Sequence, residues 1–277
     1  MGLRINTNVA SIAAQRNLKL TTRNLNDNFR KLSSGERITR ASDDAAGLAI
    51  SENLRAQIRG YRQAKRNAED GISMVQVAEG SLNEVSNMII RLRELAVQAA
   101  SDTVGEVERK FSDLEFQSLK EEISRIAHST EFNSKKLLDG TGGYMELQIG
   151  VRNNPMQDRI AFDTSEINAT VEAMGISAES IGTKQGAQTS LAAMDNALLH
   201  INGARAKLGA IQNRLLSTSN NLEITDENYS AANSRIRDAD IAQESADLAK
   251  NNVLSQSGIS VLAQANQQTA SALKLLS

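Results

Sequence analysis

Apolar residues recur every three or four positions over most of the chain, a pattern that predicts a mainly α-helical protein. The longest apolar stripe lies in the first half, at Leu54, Ile58, Tyr61, Ala64, Ala68, Ile72, Val75, Ala78, Leu82, Val85, Ile89, Leu92 and Ala96. Its mean spacing of about 3.5 residues keeps one helix face against a partner helix along a slowly supercoiled seam. A helix that covers the stripe would be roughly 60 Å long at 1.5 Å per residue. We therefore expect an elongated helical bundle or coiled coil.

Shorter helical patterns flank this stripe. The first has its apolar face at Ile5, Val9, Ile12, Leu18, Leu25, Phe29 and Leu32. It is expected to end at Gly35, because glycine readily adopts the left-handed conformation that closes many helices. The long helix is expected to begin at residues 42–44, Ser-Asp-Asp, whose side chains can accept hydrogen bonds from free backbone N–H groups. A third helix is predicted over residues 107–127, after a hinge at residues 101–105.

The period changes in the middle of the chain. Residues 140–162 contain glycines, an alternation of polar and apolar residues and the turn sequence Asn-Asn-Pro, so they predict a β-hairpin. Residues 163–186 hold three glycines among polar residues and predict an exposed loop. A last helical region, rich in small residues, follows Tyr229. Between the loop and this region the helical stripe returns at Met194, Leu198, Ile201, Leu208, Ile211, Leu215, Thr218 and Leu222.

The terminal helices contain too few bulky apolar residues to offset, alone, the entropy that they lose on ordering. We expect residues 1–42 and 234–277 to pair as an inner terminal coiled coil, and residues 43–233 to form a rod-like helical domain. Pairing with neighbouring copies would complete the burial of both ends. If each copy meets the next through unlike surfaces that close no ring, the product is a helical filament.

Composition favours thin helical seams over a thick core. Aromatic residues make up only 3% of the chain, and large aromatic side chains normally dominate core burial. Lys and Arg (31) nearly balance Asp and Glu (33) and are interspersed with them, which argues against nucleic acid as a partner. No stretch approaches about 18 apolar residues, and the start lacks an apolar signal region. We expect no membrane insertion and no cleaved signal peptide.

No group of residues predicts an enzyme, a cofactor or a metal site. His128 and His200 are the only histidines and lie far apart in the sequence. The neighbouring Asp43 and Asp44 stand at an expected helix start, where capping is a better interpretation than acid–base chemistry. The chain also has no cysteine. We therefore predict a non-enzymatic protein without cofactors.

Two long segments closely resemble bacterial flagellins. The segment GERITRASDDAAGLAISENLRAQIRG (residues 35–60) is similar to the N-terminal signature of that family. The segment ENYSAANSRIRDADIAQESADLAKNNVLSQSGISVLAQANQ (residues 227–267) is similar to the C-terminal signature. Shorter pieces also fit: RLRELAVQ from Arg91, LQIG from Leu147 and KLGAIQNRL from Lys207. Many flagellins carry large outer domains in the middle that this chain lacks, so it looks like a short, core-only flagellin.

The resemblance implies a structural subunit that self-assembles into the helical flagellar filament for motility. It also implies unfolded export through the flagellar type III machinery to an extracellular filament, with or without a membrane sheath. Its partners would be identical subunits, an export chaperone, and the cap and junction proteins. The chaperone and the cap and junction proteins would bind near residues 253–277. The implied filament-core interface comprises Ile5, Val9, Ile12, Leu18, Leu25, Val253, Leu262, Leu273 and Leu276. The implied rod seam comprises Ile58, Ile72, Val75, Leu82, Ile89, Leu198, Leu208 and Leu215.

A further partner implied by the resemblance is an innate immune receptor. In animals a Toll-like receptor reads the rod surface of many flagellins, and the matching positions here are Arg91, Leu95 and Glu115. Ile90 departs from the glutamine that is common in sensed members. These three positions form a candidate receptor surface.

Two alternative functions remain open at this point. A flagellar hook–filament junction protein has similar ends but is present in few copies. A soluble helical adaptor would form no polymer at all. Growth of long filaments from the pure protein would favour the filament subunit over both.

Overall fold

The computed structural model describes the backbone of residues 7–274 and the side chains of residues 7–268. Within this range the helices are α1 (Val9–Ser34), α2 (Ala45–Ala100), α3 (Glu106–Ser129), α4 (Pro155–Asp158), α5 (Lys184–Arg237) and α6 (Ile241–Lys274). The strands are β1 (Glu131–Phe132), β2 (Lys135–Lys136), β3 (Tyr144–Gln148) and β4 (Arg159–Asp163), and a 3₁₀ helix spans Thr164–Ile167. The prediction of a mainly α protein with a small β region in the middle is confirmed.

Contacts within the chain divide it into two compact units. The terminal unit contains the chain up to Gln57 and from Asn228 onward, and the central unit contains Ile58–Glu227. The sequence placed the boundaries after residue 42 and before residue 234, close to helix ends. The contacts divide the chain inside α2 and α5. The first turns of α2 therefore belong to the terminal unit, where Glu52 forms an ion pair with Arg237 at the end of α5.

The core of the central unit is lined by one face each of α2, α3 and α5, together with the hairpin β3–β4. Of the eight residues predicted for the rod seam, six are buried, and Leu82, Ile89 and Leu215 have no exposed surface. Ile72 and Leu198 are half-buried against the same core. The near-heptad stripes of α2 and α5 are therefore the faces that meet in this core.

Local chemistry sets the ends of α1 and α2. Gly35 has a φ of +70° and its N–H donates to the Lys31 carbonyl oxygen at 2.8 Å, which closes α1 where the sequence predicted. The backbone N–H of Gly47 donates to Asp44 Oδ1 at 2.9 Å, so Asp44 caps the start of α2. Of the three residues 42–44 that were expected to cap this helix, Asp43 has a different role, described below.

The break between α2 and α3 lies at residues 101–105, the segment that the sequence predicted as a hinge. Arg109 is buried beneath it and donates from Nε to the Ala99 carbonyl oxygen and from Nη2 to the Ser101 carbonyl oxygen, both at 2.8 Å. The last carbonyl groups of a helix have no partner within the helix. One arginine therefore satisfies two of the carbonyl groups at the end of α2.

The predicted hairpin is confirmed. Strands β3 and β4 are antiparallel, with Tyr144 opposite Asp163 and Gln148 opposite Arg159. The connection contains α4, a single turn that Asn154 caps by accepting a hydrogen bond from Met156 N at 3.1 Å.

A second ladder, β1 with β2, was not predicted. Its two strands have two residues each, and the turn between them is made by Asn133 and Ser134 with φ values of 48° and 64°. Strands of this length produce no detectable alternation in the sequence. The turn residue Asn133 is the one signal that could have indicated the ladder, because asparagine tolerates positive φ.

The expectation that residues 163–186 form an exposed loop is wrong. The segment is irregular, but it packs into the central core through Thr164, Ile167, Ala169, Thr170, Val171, Met174, Ile176 and Ile181, and α5 begins at residue 184. Side chains of α3 form hydrogen bonds with backbone groups of this segment. Lys120 Nζ donates to the carbonyl oxygens of Ser177 and Glu179 at 2.8 Å, and Asp113 Oδ1 accepts from Ile181 N at 2.8 Å. The sequence did not reveal these apolar positions, because they follow no regular period and lie among glycines and polar residues.

Candidate functional site

Helices α1 and α6 pair antiparallel in the terminal unit. Asn8 caps the start of α1 and donates from Nδ2 to the Ala265 carbonyl oxygen near the far end of α6, at 2.8 Å. At the opposite end of the pair, Lys31 Nζ lies 2.7 Å from Glu244 Oε1. The two terminal segments thus meet along most of their described length.

The seam between α1 and α6 is thin. Among the described residues of α1 only Ser11, Ala14 and Asn28 are buried, and on α6 only Ala265 is. Close approach depends on small residues: a Cβ atom added at Gly258 would lie 3.4 Å from Leu18 Cδ1. Burial of apolar surface stabilises by roughly 25 cal/mol per Å². So narrow a seam leaves the pair weakly held within one chain.

Nine residues were assigned to a filament interface from the sequence, and the six whose side chains are described fall into two groups. Val9, Ile12 and Val253 are more than half exposed. Those that reach the seam are half-buried: Leu18, Leu25 and Leu262. Ile5 and Leu276 lie outside the described residues, as does the side chain of Leu273. The role of all nine in an interface stays a prediction.

Several exposed apolar residues of the terminal unit were not singled out from the sequence. They are Leu20, Ile50, Ile241, Leu254, Ile259 and Val261. They were missed because the sequence analysis followed one stripe per helix, whereas α1 and α6 carry large apolar side chains on more than one side. Contiguous exposed apolar surface typically marks a site of protein association.

The loop after α1 is joined to the segment between α5 and α6. Arg37 N donates to the Arg237 carbonyl oxygen at 2.6 Å, and Ala239 N donates to the Gly35 carbonyl oxygen at 2.9 Å. These backbone bonds form a short joint within the terminal unit. Nothing in the sequence pattern indicated that the two segments, about two hundred positions apart, would pair as short extended pieces.

Arg237 fixes this joint with its side chain. Its guanidinium is largely buried, contacts the carboxylate of Glu52 on α2, and lies 2.9 Å from that of Glu36 in the loop. The hydrogen bonds that its guanidinium donates, to Glu52 with the larger effect and to Glu36, raise the pKa of Arg237 and so hold the cation in its charged form. A buried cation between two carboxylates was not predicted.

Asp43 organises the loop before α2. Its Oδ2 accepts from the hydroxyl and the backbone N–H of Thr39 and from Arg40 N, at 3.0–3.1 Å. Partial desolvation alone would raise the pKa of Asp43, but these hydrogen bonds, with Arg30 nearby, lower it below its ordinary value of 3.8.

We expect Asp43→Asn to weaken this loop in a pH-dependent way. A carboxylate with a lowered folded-state pKa stabilises the fold above its unfolded pKa, and this contribution is lost as the pH falls through the folded value. At neutral pH the Thr39 and Arg40 amides should exchange faster in the variant than in the wild type. The difference should shrink at pH values below 3.8. Asp247→Asn is the control, since Asp247 accepts its hydrogen bond from Gln243 on α6, and the change should leave both amides unaffected.

A polar cleft of about 690 Å³ lies beside the joint, between α1, the loop and α6. Some of its charged groups pair with one another, Arg30 with Asp27 and Lys31 with Glu244. Within the described range, no three His, Asp or Glu side chains converge closely enough to bind a metal ion. A search of the same residues for a helix apolar enough to cross a bilayer also finds none.

The candidate receptor surface is only partly on the surface. Arg91 and Glu115 are half-exposed and form an ion pair at 2.8 Å across α2 and α3. Leu95 is buried, with 2% of its surface exposed. Its assignment to a receptor surface is corrected, because it belongs to the core-facing stripe of α2 with Leu92 and Ala96.

Comparison with known proteins matches both ends of the chain to flagellin family models. The bacterial flagellin N-terminal helical region matches residues 5–142, and the bacterial flagellin C-terminal helical region matches residues 191–276. Flagellin of Halalkalibacterium halodurans is 44% identical over 272 residues, covering 98% of this chain and 99% of the relative. Flagellin FlaB2 of Treponema pallidum is 42% identical, with 98% of this chain and 99% of the relative covered. The short, core-only length is thus shared with these relatives.

A solved structure agrees with these matches. The crystal structure of Bacillus cereus flagellin is 29% identical, with a TM-score of 0.51 over 57% of this chain and 88% of that one. The signatures recognised at residues 35–60 and 227–267 lie within the matched regions at the two ends. On the sequence matches at both ends and the near full-length relatives, the chain belongs to the bacterial flagellin family.

Proposed function

We propose that this chain is the structural subunit of a flagellar filament and that it polymerises through its terminal helices. The observation that carries the proposal is the mismatch in the terminal unit between a thin internal seam and abundant exposed apolar surface. Val9, Ile12 and Val253 are 62%, 57% and 62% exposed. Neighbouring copies would cover these side chains and supply the burial that one chain lacks. Family membership supports the same reading, since relatives carry the names flagellin and flagellar filament core protein.

The contact between copies would be heterologous. The outward sides of α1 and α6 differ in sequence and charge, so the outward side of α1 on one copy can meet that of α6 on the next. A repeated heterologous contact that does not close into a ring generates a helical filament. In this arrangement the filament-core residues Ile12 and Leu262 would become fully buried only in the polymer.

The proposal also covers how the subunit is exported and which other proteins bind it. The subunit would be exported without a cleaved signal peptide and would act outside the cell in the filament. An export chaperone and the cap and junction proteins would meet the region from Val253 onward, where exposed apolar residues continue along α6. Toll-like receptor recognition would use Arg91 and Glu115, without direct contact from the buried Leu95.

The test is seeded growth of the pure protein. Short filament fragments are added to monomer, and length is followed by electron microscopy and light scattering. The proposal predicts long filaments that grow from the seeds. A soluble adaptor would remain monomeric over the whole range of salt tested, and a junction protein would add at most a short cap to each fragment. Either of these results would contradict the proposal.

A further inference from the structure

A basic groove runs along the outward side of α1. It has a volume of about 660 Å³ and is lined by Gln15, Leu18, Lys19, Thr22, Arg23, Asn26, Asp27, Arg30 and Arg40. Asp27 is the only acidic residue of α1, against five cations on that helix. It forms its ion pair with Arg30 at 2.8 Å. Lys19, Arg23 and Arg40 have no carboxylate within ion-pair distance in the described part of the chain.

Helix α6 supplies no acidic residue to Lys19 and Arg23. The antiparallel register sets Leu18 beside Gly258 and Asn28 beside Glu244. The part of α6 opposite Lys19 and Arg23 is therefore residues 251–258, Asn-Asn-Val-Leu-Ser-Gln-Ser-Gly, which contain no charged side chain. Partners for the groove must come from outside the chain or from the solvent.

The start of α6 carries the complementary charge. Four acidic residues, Asp238, Asp240, Glu244 and Asp247, lie within ten positions, with no cation among them. Glu244 is paired with Lys31, and Asp240 caps α6 by accepting from Ala242 N at 2.9 Å. Asp238 is exposed and has no ion pair within the described residues. In the same chain, this acidic segment lies beside the last turns of α1, where Glu244 is next to Asn28 and Lys31, and it does not lie opposite Lys19.

We propose that the groove of Lys19, Arg23 and Arg40 receives the acidic segment 238–247 of a second copy. This inference rests on the proposed function, because it assigns one of the contacts between filament subunits. The contact is heterologous and requires the second copy to be displaced along the helix axis, as in a growing filament. The opposite charges would set the register between copies. In any other register, groups of like charge would face each other and repel.

Charge reversal tests the contact. The variants are Arg23→Glu, Asp238→Lys and the double variant, each offered to wild-type seeds, with circular dichroism to check folding. Each single variant should elongate seeds at least tenfold more slowly than wild type. The double variant should recover growth, because its two reversed groups attract again. An equimolar mixture of the single variants should also recover, by alternating along the filament. Lys110→Glu is the matched control. Lys110 is an exposed residue of α3, and this variant should grow normally.

The outcomes separate this inference from the proposed function. Failure of wild-type protein to elongate seeds would refute the proposed function itself. Normal growth of Arg23→Glu, with wild-type growth intact, would show that the groove is solvated in the filament and would overturn only the inference. Slow growth of Arg23→Glu that neither the double variant nor the mixture restores would overturn the assignment of segment 238–247 as the occupant.

Discussion

Replacing Ile12 with aspartate is expected to abolish filament growth while leaving the isolated chain folded. Ile12 is 57% exposed in the single chain, so a carboxylate there stays hydrated and costs the monomer little. In the filament the same position would be covered by another copy. A carboxylate buried without a partner costs several kcal/mol. Because every subunit repeats the contact, we expect a critical concentration raised by at least a hundredfold, which amounts to no detectable polymer.

The measurement combines circular dichroism and sedimentation of the monomer with seeded elongation. Leu262→Asp on α6 should block growth in the same way, with a larger effect on the monomer because Leu262 is half-buried in the seam. Met156→Asp is the matched control: Met156 is 94% exposed in the central unit, outside the terminal helices. Normal filaments from Ile12→Asp would count against the interface.

Replacing Phe116 with alanine is expected to destabilise the central unit by about 3–5 kcal/mol, the range for truncating a buried aromatic residue. Phe116 has no exposed surface and lies in the core formed by α2, α3 and α5. Its ring also packs 5.8 Å from Lys120 Nζ, the group that holds the segment after the hairpin. The lost ring would leave a cavity and loosen that contact. Urea unfolding of the monomer, followed by circular dichroism, measures the change.

Phe111 provides a matched control on the same helix. Its ring is 66% exposed, so Phe111→Ala should change the free energy of unfolding by no more than about 0.5 kcal/mol. Equal effects of the two substitutions would mean that the core does not lie on the face of α3 that the structure shows.

Residues that repeat with a regular period were the ones that the sequence predicted well. The stripe through Leu82 and Ile89 indicated both the long helix and its buried face, because a near-heptad period ties apolar residues to one side. Gly35 and Asp44 marked helix ends through their own backbone chemistry. These features depend on residues that are close together in the sequence, so they can be predicted from one sequence.

Features that depend on distant partners could not be predicted. Ile176 and Ile181 belong to no period, and they are buried because Lys120 and Asp113 on α3 satisfy the backbone around them. Leu95 was assigned to a surface by resemblance alone, and the apolar stripe taken from the sequence passed through Leu92 and Ala96 without including it. Arg237 acquires its two carboxylate partners only when the chain ends come together.

For the candidate site, the sequence identified the right elements but not which sides of them are free. It named Ile12 and Leu262 together, whereas the structure leaves the first exposed and places the second partly in the seam. The basic groove on α1 was also missed, because the overall charge is balanced and the excess of cations is local to α1.

The central claim is that α1 and α6 gain their full stability only between copies. Hydrogen–deuterium exchange of the backbone amides, compared between monomer and filament, tests it most directly. We predict that the amides of α1 and α6 exchange rapidly in the monomer and are strongly protected in the filament, while those of α2 from Ile58 to Ala99 are protected in both. Equal protection of α1 and α6 in the isolated monomer would contradict the account.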